Sequence, residues 1–236
     1  MNERRFFVKN VEETTVVSGE EFRHAVSVLR IGKGDEVVLC DNTRTEYPGT
    51  VLAVDKASFT VRVNGKRENK KEATADVTLL CGYLKGDKTE YSVQKAVELG
   101  ARRIIVFRSE HCAAYMNENK LARLNKVSVE AAKQCGRSIA PQVEYFGDFA
   151  DALAATDAKN KLFACEFATE TTFDLHALRG STAVVIGPEG GFSEKEARLA
   201  AAAGYATISL GKRILRADTA AVTMLSVVMW ELGELQ

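Results

Sequence analysis

The sequence predicts an α/β protein in two parts, a small N-terminal β-barrel followed by a larger domain built on a mainly parallel sheet. Residues 1 to about 70 carry short runs that alternate or are rich in β-branched side chains, the pattern of strands. A charged stretch with no large apolar residue follows at 65–74 and reads as a linker. From residue 77 onward, strand-like runs alternate with helical ones, as in a parallel sheet covered on both faces.

Taken in order, the first part offers strands at 5–8, 15–18, 36–40, 46–54 and 58–63. One helix interrupts them: Ser18 and Glu21 stand at capping-box spacing, and Phe22, Ala25, Val26 and Leu29 recur at helical intervals. The domain boundary is placed in the charged stretch, giving domains 1–72 and 73–236. In the second, strands are expected at 77–82, 103–107, 143–146, 161–165, 182–187 and 206–210, with helices at 88–99, 119–135, 149–155, 193–203 and 219–232. The apolar run 182–186 leads into Gly187-Pro188-Glu189-Gly190-Gly191-Phe192. There Pro188 stiffens the exit, while Gly190 and Gly191 allow positive φ and close approach of a ligand. Ser193 and Glu196 form a capping box, so this loop also delivers a helix N-terminus with its unpaired N–H groups. A second glycine loop at 210–219 also opens onto a helix. Both loops, and Cys165-Glu166-Phe167, follow strands, where ligands of such sheets gather.

Of the 236 residues, 46% are apolar and 27% charged, ordinary for a globular protein able to bury a core. Lys plus Arg equals Asp plus Glu at 32 each, so no global field draws the chain to nucleic acid or membrane. Any nucleic-acid contact must come from a local patch. Cysteines 40, 81, 112, 135 and 165 are odd in number and lack a CxxC pair, which points to reduced thiols in the cytoplasm and against structural zinc. No run reaches signal-peptide or transmembrane length, so no membrane segment is expected. The chain lacks G-x-G-x-x-G, G-x-x-x-x-G-K-[ST] and G-x-S-x-G, and His24, His111 and His176 have no metal-ligand spacing. Dinucleotide, P-loop, hydrolase and metal chemistries are therefore not supported.

The stretch Gly187-Pro188-Glu189-Gly190-Gly191, followed by Leu210-Gly211-x-Arg213-Ile214-Leu215-Arg216-x-x-Thr219-Ala220, resembles the SPOUT methyltransferases. It closely resembles the RsmE group, the enzymes that methylate N3 of a uridine in 16S ribosomal RNA. Gly86-Asp87-Lys88-x-Glu90 with Gln94-Lys95-x-x-Glu98-Leu99-Gly100, and Glu130-Ala131-Ala132-x-Gln134-Cys135-Gly136-Arg137 with Pro141, are similar to further signatures of that group. The N-terminal barrel resembles its PUA-like domain. The resemblance implies a SPOUT domain with a C-terminal deep trefoil knot, S-adenosyl-L-methionine as cofactor, a homodimer, and 16S rRNA in the assembled small subunit as substrate. It implies a cofactor site at Cys165, Glu166, Gly187, Glu189, Gly190, Gly191, Leu210, Gly211, Ile214, Leu215 and Arg216.

The residues suit such a ligand: glycine-loop backbone can hydrogen-bond an adenine edge and ribose while Ile214 and Leu215 pack on the ring. The last helix, with Val222, Leu225, Val227, Val228, Met229 and Trp230, is apolar on more than one face and suggests a partner subunit. Arg137, Arg216 and Asp218 are the catalytic candidates, the arginines for phosphate or uracil oxygens. Glu166, Glu189 and Asp218 are the carboxylates nearest the inferred pocket; the sequence leaves open which, if any, is the base, and Glu189 reads equally as a loop-fixing acceptor. Two positions depart from the group: Asp218 stands where Glu is usual, and His111 where Arg is frequent. Lys85, Lys88, Lys95, Lys66, Arg67, Lys70 and Lys71 are candidates for phosphate contacts, with the barrel as docking module. The alternatives are a SPOUT enzyme acting on a tRNA base or a ribose 2′-hydroxyl, and a non-catalytic RNA-binding dimer.

Overall fold

The computed structural model describes residues 3–165 and 171–236, so Glu166 lies outside the described residues. The chain divides into two compact units, Met1–Glu72 with Val129–Ala140, and Ala73–Ser128 with Pro141–Gln236. Residues 129–140, assigned from the sequence to the second domain, thus group with the first unit. Among the described residues no helix is long and apolar enough to cross a membrane.

The first unit holds β1 (Arg5–Phe7), β2 (Thr14–Ser18), α1 (Gly19–Ser27), β3 (Glu36–Cys40), β4 (Thr45–Val54), β5 (Ser58–Val63) and β6 (Arg67–Glu68). Its sheet runs β1-β3-β4-β5-β2, with β6 on β4. No pairing among the described residues joins β1 to β2, so the expected barrel is an open half-barrel. Strand alternation sends Phe6, Val17, Leu39, Phe59 and Val61 into one core, where the Phe6 and Phe59 rings meet edge-on at 5.1 Å. The capping box expected at Ser18 does not form: Ser18 is the N-cap but its side chain makes no capping bond. Glu21 is drawn instead to Lys133, 2.9 Å away.

The presumed linker at 65–74 is also different from expectation. Arg67–Glu68 is a strand, Asn69 and Glu72 are buried, and Glu72 collects four donors: the Ser138 and Ile139 N–H groups at 2.7 and 2.8 Å, and Arg137 through Nε at 3.1 Å and Nη2 at 3.0 Å. Composition alone marks such a segment as solvated, because a buried carboxylate becomes tolerable only when its lone pairs are filled. Its partners lie 65 or more residues away in sequence.

The second unit carries a fully parallel sheet in the order β12-β10-β11-β7-β8-β9. These strands are β7 (Val77–Gly82), β8 (Arg103–Phe107), β9 (Val143–Phe146), β10 (Asn160–Ala164), β11 (Thr182–Ile186) and β12 (Ala206–Ile208). Its helices are α2 (Lys88–Glu98), α4 (Phe149–Ala154), α5 (Glu194–Ala202), α6 (Ala217–Glu231) and the part of α3 (Glu118–Cys135) that precedes residue 129. The buried run VTLLCG of β7 and TAVVI of β11 show why both strands can sit in the middle of a doubly covered sheet. Phe107, Phe149, Phe163 and Phe192 pack beneath α4 and α5, while α6 packs on β7, β11 and α2. Every strand points its C-terminal end to the same edge, and the three that feed the candidate site, β11, β10 and β12, are neighbours there.

Candidate functional site

At that edge a cavity of about 600 Å³ opens at the ends of β10, β11 and β12. Its volume falls within the range of small-molecule sites. One wall is the glycine loop after β11. Gly82, ending β7, lets this loop close in, because a Cβ there would stand 2.7 Å from the Pro188 nitrogen. Gly191 takes φ +67° and its N–H donates to the Pro188 carbonyl at 3.0 Å, closing the turn. Gly190 has no positive φ, contrary to expectation; it is required because a Cβ would lie 2.8 Å from the His111 Cβ and 3.1 Å from its carbonyl. Phe192 anchors the loop from below, 4.4 Å from the Phe163 ring. The capping box of α5 forms as read: Ser193 N–H donates to Glu196 at 2.9 Å and Glu196 N–H to the Ser193 hydroxyl at 3.3 Å.

Glu189 does the work of a loop clamp. Its Oε1 accepts from the Lys85 N–H at 3.1 Å and pairs with the Lys88 ammonium at 3.2 Å. Partial burial pushes its carboxyl up, but the N–H donors of Glu189 itself and Lys85, with Lys88, outweigh this and hold it below the usual 4.5. A carboxylate so held is a weak proton acceptor. The opposite wall is the second glycine loop and the start of α6. Arg216 is the N-cap, in extended conformation and without a side-chain capping bond. Ala217 and Ala220 bring the helix N-terminus to the cavity. Lys212, Arg213 and Arg216 are rim residues, exposed and without an ion pair among the described residues.

All the cofactor residues expected from the sequence line this cavity except Glu166, which is not described: Cys165, Gly187, Glu189, Gly190, Gly191, Leu210, Gly211, Ile214, Leu215 and Arg216. Asp218 lies in the first turn of α6, with Oδ1 accepting from the Thr219 N–H at 2.9 Å, but does not line the cavity. Arg137 does not either. It belongs to the first unit, 4% exposed and paired to Glu72, so its guanidinium is consumed by structure. Among the phosphate candidates, Lys88, Lys95 and Arg67 are committed to Glu189, Glu98 and Glu3 with Glu46, whereas Lys66, Lys70, Lys71 and Lys85 form no ion pair among the described residues. The sequence reading missed Ala164, Ile208, Ser209 and Lys212 as lining residues. Their signal was available, since Ala164, Ile208 and Ser209 sit at or just after strand ends and Lys212 lies within the second glycine loop.

A family model described as RNA methyltransferase domain matches residues 70–229, and one described as RNA methyltransferase PUA domain matches 17–64. The chain belongs to this RNA methyltransferase family. Within the family it is 28% identical to Ribosomal RNA small subunit methyltransferase E of Bacillus subtilis, over 97% of this chain and 96% of the relative. The protein of the same name from Mesomycoplasma hyopneumoniae is 30% identical over 94% and 97%. A crystal structure of a Ribosomal RNA small subunit methyltransferase E from Neisseria gonorrhoeae bound to S-adenosyl methionine superposes with a TM-score of 0.89 at 27% identity, covering 97% of each chain. A putative methyltransferase from Legionella pneumophila, in complex with its bound cofactor SAM, gives 0.90 at 27% identity over 98% of each chain.

Proposed function

We propose that the protein methylates N3 of a uridine in 16S ribosomal RNA, using S-adenosyl-L-methionine, on the assembled small subunit in the cytoplasm. The observation that carries this reading is the cavity itself, which joins two glycine loops and a helix N-terminus at one sheet edge in a chain of the RNA methyltransferase family. Family relatives bound to S-adenosyl methionine or named as small-subunit ribosomal RNA methyltransferases support it.

The residues fit the cofactor. Backbone of 187–191 and 210–215 offers hydrogen-bonding groups, Ile186, Ile208, Leu210 and Leu215 offer apolar surface for an adenine, and the cationic rim suits a carboxylate. Bound there, the cofactor supplies an electrophilic methyl group. The chain supplies positioning and charge: Arg216, Lys212 and Arg213 would hold the uracil oxygens and flanking phosphates, and a cation beside O2 or O4 stabilises the base after it loses its N3 proton. Glu189 keeps the glycine loop in place. Asp218 would orient the α6 start rather than meet the base. Because pairing hides N3, the target must be unpaired or flipped.

The domain roles are part of the same reading: residues 1–72 dock the RNA, residues 73–236 bind cofactor and carry the chemistry, and the C-terminal segment forms a deep trefoil knot. A homodimer is supported by α6, whose Ala221, Met224, Leu225, Val228 and Met229 are buried within its own unit while Trp230 stays 53% exposed. The deciding experiment supplies labelled cofactor with small subunits, naked 16S rRNA and tRNA, then digests the product for mass spectrometry. We expect 3-methyluridine at one position of 16S rRNA, with subunits preferred. Label on tRNA or on ribose would overturn the reading.

A further inference from the structure

The loop at 108–116, which has no part in the reaction above, places cations and aromatic rings on the same C-terminal edge of the second sheet. Arg108 follows β8, and its guanidinium lies 5.0 Å from the centroid of the Tyr115 ring. Lys120 lies 5.5 Å from the Tyr83 ring centroid and donates to the Tyr115 carbonyl at 2.6 Å. Neither cation forms an ion pair among the described residues.

Arg108 is exposed and Tyr115 is 67% exposed, so the ring beside the guanidinium keeps most of its surface in water. The loop is held by other means. Glu110 N–H donates to Glu196 at 3.0 Å, and His111 Nδ1 lies 3.1 Å from the Gly190 carbonyl, which makes Nδ1 the donor. Tyr115 is therefore presented from a loop tied to the wall of the cavity. Strand β8 is two strands from β11, about 10 Å by sheet spacing.

We propose that Arg108, Tyr115 and Lys120 form a stacking platform for an unpaired nucleotide of the RNA strand whose neighbouring uridine enters the cavity. This rests on the RNA reading above. The base stacks on the exposed ring of Tyr115, and the two cations hold the phosphates beside it, a mode that accepts any base because each has a π-face.

The test uses the full chain and an end-labelled single-stranded oligouridylate, read by fluorescence anisotropy. Tyr115→Ala is expected to weaken binding about 10-fold and Tyr115→Phe less than about 2-fold. Arg108→Ala should lower the salt slope by about one ion. Stabilisation by S-adenosylhomocysteine should be unchanged in all three. Binding by Tyr115→Ala equal to the parent, equal losses with Ala and Phe, or loss of the S-adenosylhomocysteine shift would each overturn the platform. Methyl transfer by the parent protein to 16S rRNA is measured separately, so its absence removes the functional reading while the Ala and Phe pair still decides the platform.

Discussion

Arg137 and Arg216 look alike in the sequence, each an arginine within a glycine-containing motif, yet the fold uses them in opposite ways. Arg137 has a side chain 5% exposed and is locked to Glu72, whose carboxylate is 2% exposed and also takes two backbone N–H groups. Arg216 caps α6 at the cavity rim, exposed and without a carboxylate partner among the described residues. The difference teaches that an arginine is available to a ligand only where folding has not already paired it, and pairing is decided by residues far away in the chain.

Breaking the buried pair should have the largest effect. Arg137→Met leaves Glu72 charged and partly unpaired, and is expected to cost about 3–5 kcal/mol of stability, seen as a fall in the urea midpoint. The cofactor response of the folded fraction should remain. Replacing both residues by apolar ones should recover part of the loss, and an additive double mutant would show that the two do not act as a pair.

Arg216→Ala tests the other side. Methyl transfer should drop about 100-fold, as for loss of one aimed charge donor, while the thermal midpoint stays near that of the parent. A stability loss as large as that of Arg137→Met would erase the distinction between the two arginines.

Gly190→Val should have an intermediate effect. The added side chain must displace His111, whose Cβ would be 2.8 Å from the new Cβ, at about 1–3 kcal/mol for overpacking. Because that contact joins the cavity wall to loop 108–116, S-adenosylhomocysteine should stabilise this variant less; an undiminished shift would sink the argument.

The smallest effect concerns pH. Glu189 has its carboxyl held below 4.5, so its contribution to stability is present above the unfolded value and is lost as pH falls through the lowered folded value. The midpoint difference between the parent and Glu189→Gln should be constant near neutrality and shrink below about pH 4.5. Lys88→Met, removing the partner 3.2 Å away, should reduce that difference. A difference that grows on acidification would contradict the assignment.

Much of the molecule was written in local pattern. The β-branched runs of β7 and β11, the amphipathic spacing of α2 and α3, and the Ser193–Glu196 capping box are properties of a few adjacent residues, and they recur in the fold within a residue or two. The glycine loops were legible for the same reason, since turn chemistry is short-range. What only the tertiary structure decided depends on distant partners. Glu21 chose Lys133 over Ser18, Gly190 is required by His111 rather than by its own φ, and within the charged stretch 65–74 Glu72 is held inside by Arg137 and the 138–139 backbone. A charge in sequence carries no record of its neighbours in space, and its cost or use is set by whether those neighbours fill its hydrogen bonds once water has gone.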